Sequence, residues 1–212
     1  MSAEPELSDD EVLSLADKYA FEGRLESALE LFRQRLMIDP FNAKIHKWIY
    51  GLLLGPDQGR GLVEFYRDIQ KNHPEDWRHL VNLGRAYSRT GKDSLAVVQL
   101  QKLLRSDSSL LEVWMDLAHC YLRLEKTELA LRALNSLIEL HPEHAQAHVE
   151  RVRLLARARE FDEAAASAVF SLECKELPAH VREWLEEMDL YLEAGQAPSE
   201  DLILRLAEVD QA

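Results

Sequence analysis

Apolar residues recur at helical spacing along most of the chain, in pairs of short runs separated by a break. Leu80, Leu83, Gly84 and Tyr87 form one run, and Ala96, Leu100 and Leu103 the next. Trp114, Leu117, Ala118 and Tyr121 repeat the first; Ala130, Leu134 and Leu137 repeat the second. Near the start, Val12, Leu15, Ala16 and Tyr19 precede Gly23, Ala28 and Phe32. Pro40, Pro74 and Pro142 lie on a ruler of 34 residues, and the step between the last two falls on Ser108 in RSDSS. A fixed period of this length predicts a repeat solenoid in which each unit buries its apolar face against the next. The expectation is an all-α fold of tandem antiparallel helix pairs.

On this register a short acidic tail, 1–8, precedes five units at 9–42, 43–76, 77–110, 111–144 and 145–178. Unit two departs most. It carries bulky Tyr50 and Leu62 where other units place small residues, and Gly55-Pro56-Asp57-Gln58-Gly59-Arg60-Gly61 separates its runs. Proline costs about 3 kcal/mol and glycine about 1 kcal/mol inside a helix. The first helix is therefore expected to stop near Leu54 and the second to start near Leu62. The break reads either as a long inter-helix turn or as a hinge or partner-binding loop. Unit five has Arg151 in place of leucine and Ala168 in place of a large residue. From Ala179, the run Val181, Trp184, Leu185, Met188 and Tyr191 predicts another helix. Pro198-Ser199-Glu200-Asp201 is a start signal for a last one reaching Val209. Residues 179–212 are expected to cap the array, with Glu183, Glu186, Glu187 and Glu193 on a polar outer face.

The units resemble the tetratricopeptide repeat, whose signature is W-x2-L-G-x2-Y, then A-x3-F, then P. Unit four follows it from Trp114, and unit three carries the L-G-x2-Y core. The resemblance spans about 9–178 and implies a right-handed α-solenoid. It also implies that Gly84, Ala118 and Ala16 sit where the helices of a unit cross, with Ala28, Ala96, Ala130 and Ala164 receiving the opposite helix. First helices of this family line a concave groove. The corresponding positions are Arg78, Val81, Asn82, Arg85 and Arg89 in unit three. Unit four supplies Met115, His119, Leu122 and Arg123, and unit five Val149, Arg153 and Arg157. Six arginines on one surface suit a peptide or helix of acidic character, because guanidinium holds carboxylates bidentately and stays charged. Asn82 could bond a peptide backbone, with Val81, Met115, Leu122 and Val149 as apolar anchors. Alternatively the arginines pair with Glu112, Asp116 and Glu150 on adjacent helices. The two-carboxylate clamp by which some of these domains hold chaperone tails is not supported: the best alignment matches two of five positions and puts acids where cations are needed.

The chain has 38 acidic and 25 basic residues, a net charge of −13. Residues 1–40 hold 10 acids and 4 bases, and 173–212 hold 11 acids and 3 bases, so the ends carry the acidity. Such a balance opposes non-specific nucleic-acid binding. Two cysteines, Cys120 and Cys174, suggest no disulfide framework. Met1–Asp10 lacks the features of a signal peptide, no apolar run reaches membrane-spanning length, and a cytoplasmic location is the expectation.

His141, His144 and His148 lie in HPEHAQAH, but their spacing crosses a proline turn and does not fit the i, i+4 histidine pair of a catalytic zinc helix. His148 falls where Trp114 falls in unit four, which suits packing. No nucleophile–base pair, phosphate loop or paired-carboxylate motif stands out, and no cofactor or metal is expected. The sequence therefore points to a non-catalytic adaptor that docks a peptide or helix of another protein. Two alternatives are a secretion-type chaperone for an aggregation-prone client and a self-assembling scaffold joined through Trp184, Tyr191 and the C-terminal helix.

Overall fold

The computed structural model describes residues 7–54, 59–173 and 178–205. Among them are twelve helices and no strand. They run α1 (Asp9–Phe21), α2 (Leu25–Ile38), α3 (Ala43–Leu53), α4 (Arg60–Asn72), α5 (Trp77–Arg89) and α6 (Asp93–Ser106). There follow α7 (Leu111–Arg123), α8 (Thr127–Leu140), α9 (Ala145–Arg157), α10 (Phe161–Leu172), α11 (Ala179–Glu193) and α12 (Glu200–Leu204). The odd-numbered helices begin at Asp9, Ala43, Trp77, Leu111, Ala145 and Ala179, each 34 residues after the last. Two compact units are formed, residues 1–103 and residues 104–212, with the division inside α6.

The starts are set by caps. Ser8 and Glu11 close a reciprocal capping box on α1, which satisfies two backbone donors that the first turn leaves open. Asn42 caps α3 through Oδ1 to the Ile45 N–H at 3.1 Å. Its Nδ2 donates to Asp9 at 2.8 Å, so one amide fixes the ends of two helices. Asp76 caps α5, and Ser199 caps α12 where the sequence signal placed it.

In the first unit Phe32, Leu36, Ile45, Ile49, Leu62, Tyr66 and Leu100 are fully buried. Gly84 sits at a close approach, since a Cβ there would stand 3.2 Å from Leu100 Cδ2. The bulk of unit two is absorbed without small crossing residues: Leu62 is buried, and the Tyr50 ring packs 6.3 Å from Tyr66. Helix α4 starts at Arg60, two residues before the expected point. Gly59 precedes it with φ of 70°, and a Cβ there would strike Thr90 Cγ2 at 2.4 Å. The rest of the glycine-rich break, 55–58, lies outside the described residues, as do Cys174, Val209 and most of the acidic N-terminal tail.

The second unit has its core in Val152, Ala164, Ala168, Trp184, Leu185 and Met188. Trp184 is buried, and its indole N–H donates to the Leu202 carbonyl at 2.7 Å, locking α12 to α11. It therefore offers no surface to a second subunit, whereas Leu190 and Tyr191 on the same helix are exposed.

Candidate functional site

A recurring contact ties α3, α7 and α9 to the turn before each. His46 Nε2 bonds the Pro40 carbonyl at 2.9 Å, Trp114 Nε1 the Ser108 carbonyl at 2.8 Å, and His148 Nε2 the Pro142 carbonyl at 2.7 Å. All three are the fourth residue of their helix and bond six residues back. A carbonyl only accepts, so both histidines carry a proton on Nε2. Nδ1 of His46 then accepts from the Tyr66 hydroxyl at 2.5 Å. Burial pushes the pKa of both rings down, and for His46 the nearby Arg85 and Arg89 add to the effect.

This contact organises the candidate surface of the first unit. The Pro40 carbonyl also accepts from Asn82 Nδ2 at 2.6 Å. Asn82 is buried, so its N–H groups serve the fold rather than a partner's backbone; its Oδ1 has no hydrogen-bond partner. One turn further along α5, the Arg85 guanidinium lies 5.3 Å over the Phe41 ring. Another turn on, Arg89 lies 4.2 Å over the Tyr50 ring. Both guanidiniums thus lie within cation–π distance of an aromatic ring. Arg78 is engaged differently. Its Nε and Nη2 close on both oxygens of Asp76, at 2.7 Å for the closest pair, and this hydrogen bonding holds the Asp76 pKa below the usual range. Val81 is buried and cannot serve as an apolar anchor for a partner. Helix α5 is buried over most of its circumference and leaves only a narrow outer strip.

Beside this strip, α3 presents Lys47, Gly51 and Leu54, all exposed and spaced i, i+4, i+7 along one face. Gly51 has no positive φ, and a Cβ there would meet nothing within 4 Å. A glycine inside a helix costs about 1 kcal/mol relative to alanine, and neither backbone nor packing requires one at this position.

In the second unit Met115 and Val149 are buried and are likewise unavailable as anchors. Arg153 is buried and paired with Glu150 at 2.9 Å, three residues back on the same helix. His119 and Leu122 are half-buried, while Arg123 and Arg157 are exposed. Arg123 Nη2 approaches Cys120 Sγ at 3.6 Å. The histidine cluster is structural in its contacts. His144 Nδ1 accepts from the Ala147 N–H as the cap of α9, and His148 packs on Phe170 with ring centroids 5.4 Å apart. Among the described residues no three His, Cys, Asp or Glu side chains gather as a metal ion would need. None of the described helices is long and apolar enough to cross a membrane.

The aromatic partners of the arginines were not legible as such, because Phe41 lies at the end of unit one and Tyr50 in unit two, outside the helix that carries the cations. The histidine contact had a signal: His46, Trp114 and His148 share one position of the 34-residue register.

A family profile described as tetratricopeptide repeat matches residues 115–171. Solved structures of similar fold include a MamA protein, 16% identical, covering 94% of this chain and 92% of that one with a TM-score of 0.51. They also include residues 41 to the end of MamA from Desulfovibrio magneticus RS-1, 16% identical, covering 80% of this chain and 97% of that one with a TM-score of 0.54. A double mutant of MamA from RS-1 is 17% identical over 80% of this chain and 97% of that one, with a TM-score of 0.53. No curated protein sequence matches the chain. The chain has the fold of tetratricopeptide-repeat proteins, and the family match itself lies in the second unit. Helix pairs of this class are protein-interaction modules.

Proposed function

We propose that this protein is an adaptor that binds a peptide or helical segment of another protein on the outer strip of its first unit. The observation that carries the reading is the pair of guanidiniums over aromatic rings, Arg85 at Phe41 and Arg89 at Tyr50. They are held one helical turn apart on α5 in a chain of net charge −13. Each favours a carboxylate, which a guanidinium meets with charge-assisted hydrogen bonds worth about 1.5–3 kcal/mol. Arg123 and Arg157 extend the same chemistry on the second unit. Arg78 and Arg153 are engaged by Asp76 and Glu150.

The test is charge reversal at these two positions. An Arg85→Glu, Arg89→Glu variant is expected to lose the native partner while keeping its helical circular dichroism. Arg78→Gln is expected to keep it. Partner retention by the folded double variant would place binding elsewhere.

A further inference from the structure

We infer that Arg151, with Asn135, Ser167 and Phe170, forms a binding site for a carboxylate group on the second unit. Arg151 occupies the seventh place of unit five. The same place of the register holds Leu15, Ile49, Leu83, Leu117 and Leu185, and the last four are buried. A guanidinium therefore stands at a position that the repeat gives to an aliphatic residue. Helix α10 is altered to match. Its Ala168 stands where Phe32, Tyr66, Leu100 and Leu134 are fully buried, and its Ser171 where Ile69, Leu103 and Leu137 are buried. Both changes remove bulk from a helix that Arg151 contacts.

The Arg151 side chain is half-buried and held by neutral groups. Its Nε–H donates to Ser167 Oγ at 2.7 Å, and its Nη1 to Asn135 Oδ1 at 3.3 Å. The guanidinium lies 5.9 Å from the centre of the Phe170 ring. Asn135 is on α8 and the other two are on α10, so these contacts run to the second helices of units four and five. Among the described residues no carboxylate pairs with Arg151, and burial pulls its pKa down. Arginine stays protonated at neutral pH all the same. Withdrawing a charge from water without a counter-ion is unfavourable. Acids outnumber bases 38 to 25 in this chain, and Arg33, Arg35, Arg78 and Arg153 are each paired with one. Guanidinium has five N–H donors. Ser167 and Asn135 take two, which leaves donors on both Nη1 and Nη2. A carboxylate accepts from two such neighbouring donors in parallel, and its single charge matches that of one guanidinium. Asn135 and Phe170 are exposed, which puts the site at the surface. A free organic acid and an acidic side chain present the same group, and the probes below separate them.

The full chain is prepared with isotope-labelled arginine, and the Arg151 Nε–H resonance is assigned by its loss in Arg151→Lys. It is titrated with sodium phenylacetate, whose ring can rest on Phe170, and with a capped glycyl-glutamyl-glycine peptide. Phenylacetamide and phenyl phosphate are the controls. One or both carboxylates are expected to shift the resonance saturably at concentrations that leave exposed Arg159 unmoved. The one that saturates first names the source. Asn135→Ala, a change at an exposed position, is expected to weaken that probe by about three- to tenfold, as loss of one hydrogen bond implies. Arg151→Leu restores the residue type of the repeat and is expected to melt about 2–4 °C higher than wild type. No saturable shift, or an equal shift by the neutral amide, overturns the site. Tighter binding of phenyl phosphate overturns the carboxylate. A lower melting temperature for Arg151→Leu together with no saturable shift makes the guanidinium a structural group.

Discussion

Histidine 46 shows how one side chain can join a turn, a core and a binding strip. Its Nε2 proton goes to the Pro40 carbonyl, its Nδ1 takes the Tyr66 hydroxyl, and Arg85 and Arg89 stand close enough to oppose its protonation. His79, His144 and His148 share its depressed pKa, with burial the first cause in each. A histidine whose folded pKa lies below the unfolded value of about 6.5 binds more protons unfolded than folded. The stability it contributes is complete above that value and declines as pH falls through it toward the folded pKa. The urea midpoint is therefore expected to drop between pH 7.5 and pH 5.5, with carboxylates such as Asp9 and Asp76 adding losses further down. His46→Phe is expected to lower stability by about 1–3 kcal/mol at pH 7.5, because Tyr66 loses its buried acceptor, and to flatten the slope near pH 6. An unchanged slope would mean that His46 is not among the groups responsible. The sequence placed His148 in the seam by its register with Trp114. His46 lies on the same register position, but its bond to Tyr66 joins different helices and is not a local signal.

At the level of the element, the 34-residue register shows where the chain conflicts with its own design. The turn between paired helices needs a left-handed residue, supplied by Gly23 and Gly91 at φ of 75° and 70°. The equivalent positions in the second unit hold Glu125 and Arg159 at 58° and 62°. A side chain in that region costs roughly 1–2 kcal/mol, partly offset by the extra freedom glycine loses on folding. Glu125→Gly and Arg159→Gly are each expected to stabilise the protein by about 0.5–1 kcal/mol in thermal melts, while Gly91→Ala destabilises it by about as much. Destabilisation by both glycine variants would show that the side chains contribute more than their backbone strain. Helix starts were readable because caps and prolines are local signals. Burial of Val81, Met115 and Val149 was not, because it depends on how far neighbouring helices wrap around the one that carries them. Family positions assigned the buried Val81, Met115 and Val149 to a partner-facing strip, and the coordinates also show Arg78 held by Asp76.

Across the whole chain, repeat architecture and charge act together. The acidity lies at the two ends, which disfavours contact between ends of like sign, while the cations of α5 sit in the more balanced stretch between them. A partner drawn by those cations should bind more weakly as salt rises, since exposed charge pairs are screened. The central claim is that Arg85 and Arg89, over the rings of Phe41 and Tyr50, hold the partner. The most direct measurement is affinity capture from the native source, with wild type, Arg78→Gln and the Arg85→Glu, Arg89→Glu variant side by side and mass spectrometry of what each retains. The same protein held by wild type and by Arg78→Gln, and lost by the folded double variant, is the expected result. Equal retention by all three would contradict the claim.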